Sequence, residues 1–240
     1  MDNLVFVHGY LGGAAQWNSQ VSFLKEDYRI ICPDLPGFGA RCAEAAPDTI
    51  TSFAETCLLE LMTLGCEKFH LIGHSMGGMV VQEMTRLAPE RIDKLVLYGT
   101  GPVGLLPGRF EPIEESKRRV KEDGPEATAR RISARWFLER EKAAQYHVCE
   151  ELAIKASLQA MLAGLTAMET WSGVDALAAI KSRTLVLWGD GDRTYPWSQA
   201  EQLWQQILHS NLAVVPGCAH AVHLEKPEFF NTHLRNFLAK

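Results

Sequence analysis

Three short segments hold the residues whose types and spacing could do chemistry. Gly73-His74-Ser75-Met76-Gly77-Gly78 fits the spacing G-x-S-x-G. A serine hydroxyl is a poor nucleophile at its own pKa, so it needs a general base, and the base needs a group to orient it. Gly189-Asp190-Gly191-Asp192-Arg193 offers two carboxylates, and Gly217-Cys218-Ala219-His220 offers an imidazole, with His223 three residues further on. The chain order serine, acid, histidine is the one that accompanies a serine flanked in this way. The chemistry would be acyl transfer, in which a carbonyl is attacked and its oxyanion is held by backbone N–H groups.

The glycine spacing has a steric reason. On a tight strand-to-helix turn, side chains at positions 73 and 77 would collide with adjacent backbone. Such a turn lifts the Ser75 hydroxyl above a sheet edge. The helix start behind it offers N–H groups and a positive dipole end, and the N–H of Met76 is the first donor expected at an oxyanion.

The elements that must position these residues are legible as apolar runs. Leu4–Val7, Tyr28–Cys32, Phe69–Ile72, Leu95–Tyr98, Thr184–Trp188 and Leu212–Val215 are short, nearly continuous and closed by Gly, Pro or a turn. Strands buried on both faces of a parallel sheet read this way. Helical patterns follow at Ser52–Leu64 (N-cap expected at Thr51 or Ser52), Met76–Leu87, Ser198–Ile207 and Pro227–Leu238. Strand alternating with helix predicts an α/β fold whose sites lie at the strand C-terminal ends. Residues 102–178 break the alternation and read as helix after helix. Positions 117–142 hold nine Lys or Arg against five Asp or Glu, whereas the rest of the chain holds 15 against 24. A solvated helix surface accounts for that charge, and a sharper account has Arg130, Arg131 or Arg135 facing an anionic substrate.

Composition narrows the classes. The chain has 240 residues, 47% of them hydrophobic and 22% charged, with a net charge of −5. That is enough apolar material for a core without staples, and it argues against disorder. An acidic balance argues against a nucleic-acid surface. No apolar run reaches about 18 residues, so no membrane span is expected, and Met1–Tyr10 lacks the cationic region of a signal peptide. The six cysteines form no C-x-x-C pair and no zinc spacing, and they read as free thiols of a cytoplasmic protein. No ligand cluster or phosphate-cradling loop occurs, so no metal or organic cofactor is expected. Monomer and homodimer are both compatible with the sequence.

Taken together, His8-Gly9-Tyr10, Asp34-Leu35-Pro36-Gly37-Phe38-Gly39, the Ser75 turn, Gly189–Asp192, and His220 with Leu224-Glu225-Lys226-Pro227 resemble the α/β-hydrolase superfamily. The match is nearest to its small capped esterase and lactonase branch and covers the chain from end to end. The resemblance implies Asp192 rather than Asp190 as the acid, and His220 rather than His223 as the base. It implies a second oxyanion donor, the N–H of Tyr10, and structural roles for His8, His74 and Asp34. It implies a mostly parallel six-stranded sheet lacking the two leading strands of many relatives, with Tyr28–Cys32 at an edge. Residues 1–101 and 179–240 would form the core and 102–178 a helical cap of about four helices. Tyr10, Leu11, Trp136, Phe137, Met161, Trp171 and Val222, with Leu162 and Met168, would line the pocket.

The expected activity is hydrolysis of small to medium carboxylic esters through an acyl-enzyme on Ser75. Two alternatives use the same scaffold. The segments His8–Gly13 and His220–Glu225 are similar to the menaquinone-pathway synthase that eliminates pyruvate, although that enzyme carries arginine after its serine turn where Met79 stands. Ring-cleavage-product hydrolases carry tryptophan after the base, where Ala221 stands. Lactones and thioesters are further acyl substrates for the same serine. A receptor that keeps the three residues without turnover is the remaining reading.

Overall fold

Alternate residues of a strand point to opposite faces, so a run that is apolar throughout must be covered on both sides. The computed structural model, which describes residues 1–106 and 111–239, has this arrangement. The strands are β1 (Asp2–Val7), β2 (Tyr28–Ile31), β3 (Phe69–His74), β4 (Ile92–Tyr98), β5 (Arg183–Gly189) and β6 (Ser210–Val215). They pair in parallel in the order β2-β1-β3-β4-β5-β6, which puts β2 at an edge.

The helices are α1 (Asn18–Leu24), α2 (Ile50–Thr63), α3 (Met76–Leu87), α4 (Ile113–Glu122), α5 (Pro125–Ala134), α6 (Tyr146–Ala153), α7 (Leu158–Glu169), α8 (Trp197–Gln206), α9 (Val222–Glu225) and α10 (Pro227–Ala239). Leu4, Phe6, Ile72, Val96, Leu185 and Leu187 face one core with Leu24 of α1 and Phe230, Leu234 and Phe237 of α10. Val5, Val7, Leu71, Leu95, Leu97 and Val186 face the other, with apolar residues of α2, α3 and α8. The sheet is thus the middle of three layers.

Two local expectations are corrected. The helix α2 begins earlier than its apolar pattern, because Thr49 caps it by accepting from Ser52 N at 3.1 Å. The helix α1 was not expected: it has seven residues, and no side chain caps its start. Between β4 and β5 come α4 to α7, and a single antiparallel bridge, Val103 to Ser172, joins the two ends of that stretch.

Candidate active site

The turn at Ser75 depends on what its neighbours lack. Ser75, between β3 and α3, has φ 57° and ψ −123°, in the left-handed half of the map that L residues rarely adopt. Its N–H donates to Tyr98 O at 3.0 Å, and its carbonyl accepts from Gly78 N and Thr100 Oγ1, each at 2.8 Å. A side chain at Gly77 would fall on the carbonyl oxygens of Val7 and His8, and one at Gly73 on that of Gly77. A Cβ at Gly9 would lie 2.8 Å from Ser75 Cβ. The chain after β1, carrying Tyr10, therefore runs directly against Ser75.

His220 lies in the loop between β6 and α9. Its Nδ1 is 2.8 Å from Asp192 Oδ2, and the two side chains are 0% and 1% exposed. Asp192 Oδ1 accepts from the N–H groups of Thr194 (2.7 Å) and Tyr195 (3.0 Å). A carboxylate only accepts, so Nδ1 donates, and in the neutral imidazole this tautomer leaves the lone pair on Nε2. That Nε2 is buried and makes no hydrogen bond. Behind the ring, the His220 carbonyl accepts from Tyr98 Oη at 2.6 Å and from His74 Nε2 at 3.1 Å.

The competing residues are placed elsewhere. Asp190 Oδ1 accepts from Gly217 N at 2.7 Å, which braces one loop against the other. His223 Nδ1 is 3.1 Å from Tyr98 Oη, under the sheet rim. Burial, reinforced by the His220 imidazole, pushes His223 down to about 3. Burial, and then His220 and His223, holds His74 well below the usual imidazole value. Both rings are neutral. Burial lowers His8 as well, and its Nε2 accepts from Leu35 N at 2.9 Å. Asp34 Oδ1 accepts from Ala14 N at 2.8 Å, so these two residues tie loops together. Burial pushes the Cys218 thiol up to about 12, far from the thiolate a nucleophile needs, and all six cysteines are unpaired.

Ser75 opens on a cavity of about 30 Å³ walled by Tyr10, Ile132, Trp136, Met168, Thr194 and Tyr195. Trp136 and Tyr195 also flank the His220 imidazole, with ring centroids 6.3 and 5.6 Å away and Tyr195 stacked at 13°. One small space therefore brings together the serine, the rings around the imidazole and the stretch between β4 and β5.

A family description matches residues 4–233, that of the alpha/beta hydrolase family. The chain belongs to this family. The 2-hydroxy-6-oxo-6-phenylhexa-2,4-dienoate hydrolase of Burkholderia cepacia is 29% identical over 98% of this chain and 87% of its own. A protein of Azorhizobium caulinodans that bears the name carbamate hydrolase RutD is 28% identical over 95% of this chain and 88% of its own. Among solved structures, a thermophilic esterase from Thermogutta terrifontis superposes with a TM-score of 0.89 at 26% identity, covering 100% of this chain and 90% of the other. No helix among the described residues is long and apolar enough to cross a membrane.

Of the nine expected pocket residues, Tyr10, Trp136 and Met168 wall the cavity beside Ser75. Leu11, Phe137, Met161, Leu162, Trp171 and Val222 are not among the residues walling it. Leu11 and Met161 are 0% exposed in the core, and the Met161 carbonyl accepts from Tyr10 Oη at 3.1 Å. Phe137 turns edge-on to Tyr146, Trp171 lies over Gly173, and Val222 joins the core on the α10 face. Gly104, Leu106, Ile132, Thr194 and Tyr195 stand in the wall instead. Ile132 was within reach of sequence reasoning, since it precedes Trp136 by one helical turn, and Thr194 and Tyr195 directly follow Asp192. Arg130 pairs with Glu126 and Glu150, and Arg131 pairs with the buried Glu111, which also takes Arg119. Those two cationic side chains are engaged within the helical stretch itself.

Proposed function

We propose that this alpha/beta hydrolase is a serine esterase acting on small to medium carboxylic esters. The observation that carries the reading is the Asp192–His220 contact beside a cavity that Ser75 enters from a left-handed turn. Ser75 Oγ attacks the carbonyl carbon while His220 Nε2 takes its proton. Asp192 holds the ring and stabilises the imidazolium. The backbone N–H groups of Met76 and Tyr10 receive the oxyanion. His220 then gives its proton to the departing alcohol, and a water activated by the same nitrogen releases the acid.

In this reading residues 1–101 and 179–240 form the catalytic unit, and 102–178 form a cap whose Ile132, Trp136 and Met168 choose the substrate. A cavity of about 30 Å³ holds roughly one water molecule, so these walls must yield to admit an acyl group. The unpaired cysteines fit a cytoplasmic location. A second reading, cleavage of a carbon–carbon bond, is favoured by the 29% identity to the dienoate hydrolase, and Ala221 after the base speaks against it.

A serine-directed fluorophosphonate is expected to label Ser75, and Ser75→Ala is expected to abolish both labelling and cleavage of p-nitrophenyl acetate and butyrate. Absence of labelling and ester turnover in the wild type overturns the proposal. Turnover of a vinylogous 1,5-diketo acid with a kcat/KM far above that of every ester assigns the second reading.

A further inference from the structure

The segment Leu224-Glu225-Lys226-Pro227 marks the family resemblance, yet the steps above use none of its side chains. Glu225 ends the single turn α9, and its carboxylate touches two different parts of the molecule. Oε2 accepts from Ala219 N at 2.6 Å, and Oε1 accepts from Leu138 N at 2.7 Å. Ala219 immediately precedes His220. Leu138 lies just beyond α5, two residues after Trp136. On the far side of His220, Ala221 N donates to Trp136 O at 2.9 Å. The backbone on both sides of the imidazole is thus tied to the strand of chain that walls the cavity.

Further contacts make this junction stiff. Leu224 N and Glu225 N both donate to Ala221 O at 2.9 Å, so the carboxylate is anchored to the His220 turn it reaches back to hold. The Leu138 side chain covers Gly191, where an added Cβ would lie 2.7 Å from Leu138 Cδ2, and Gly191 precedes Asp192. Each carboxylate oxygen takes a main-chain N–H, a charge-assisted arrangement. A carboxamide offers one acceptor oxygen and sets its NH2 against the second N–H.

We infer that Glu225 is a positioning residue that locks the His220 loop and the segment Trp136–Leu138 into one unit, so that the base is aligned when the cavity wall is seated. The inference rests on the serine-hydrolase reading of the site. It predicts a defect in the rate of each correctly folded molecule, because a loosened loop leaves Nε2 misaimed while the Ala221 N to Trp136 O bond still holds the wall.

The test uses the full chain as wild type, Glu225→Gln and Glu225→Ala. Fluorophosphonate titrated to its endpoint counts competent serines, and p-nitrophenyl acetate hydrolysis is expressed per titrated site. Glu225→Gln is expected to lower kcat per site at least about tenfold with KM changed less than twofold, and Glu225→Ala at least as much. If Glu225→Ala does not fold, Glu225→Gln decides. Unchanged kcat per site overturns the inference whatever happens to yield or melting temperature, since a merely structural glutamate reduces the number of good sites and not the rate of each. A rise in KM alone overturns it too. Failure of the wild type to label or turn over esters instead defeats the esterase reading itself, so the two failures are told apart.

Discussion

Asp190 and Asp192 stand two residues apart with the same side chain and end on different partners. One braces a backbone N–H of Gly217, while the other holds the imidazole of His220. The difference sets a residue-scale prediction. Asp192→Asn leaves the shape intact but offers an amide where a second acceptor is needed, which frees the imidazole to take the wrong tautomer. By analogy with other serine hydrolases, kcat should fall by about four orders of magnitude. Asp190→Asn keeps an acceptor oxygen for Gly217 N, and its kcat should stay within about tenfold of wild type. Steady-state kinetics on p-nitrophenyl butyrate separates the two, and equal losses would remove Asp192 from its role.

At the scale of elements, β1, β3, β5 and β6 deliver the site because they run in parallel and end at one rim. The four strand ends bring Tyr10, Ser75, Asp192 and His220 from positions scattered over most of the chain. What lies above them is set by Ile132 of α5, Trp136 in the turn after it and Met168 of α7. Trp136→Ala removes the largest wall. Its expected effect is a shift of preference towards longer acyl chains, read as a rise in kcat/KM for octanoate over acetate esters of at least about tenfold. Its stability cost should be about 3 kcal/mol, because the ring is 6% exposed. An unchanged acyl profile would place substrate selection elsewhere.

The whole molecule carries a buried histidine layer beneath the rim. His8, His74 and His223 are each lowered from the ordinary value of 6.5, chiefly by burial, and His223 reaches about 3. Well above pH 6.5 neither the folded nor the unfolded chain protonates them, and they leave stability independent of pH. Below it the unfolded chain binds protons that the folded chain refuses, so stability falls on acidification. For His223 the fall continues towards about pH 3. Each such ring removes up to about 1.4 kcal/mol per pH unit. The urea midpoint should therefore drop progressively from pH 7 to pH 5, and a flat midpoint would contradict neutral burial of these rings.

Local rules made much of this protein readable in advance. Gly73 follows from the room a strand-to-helix turn leaves beside Gly77, the apolar runs follow from burial on both sheet faces, and Pro89 ends α3 by covalent geometry. Such effects act within a few residues, so the order of residues suffices to express them. The cavity wall is different. Leu11 and Tyr10 are neighbours, as are Trp136 and Phe137, and all four are buried, yet only Tyr10 and Trp136 also wall the space. Which way each side chain turns depends on what α5, α7 and the loop after β5 press against it, and those contacts exist only once distant segments have met.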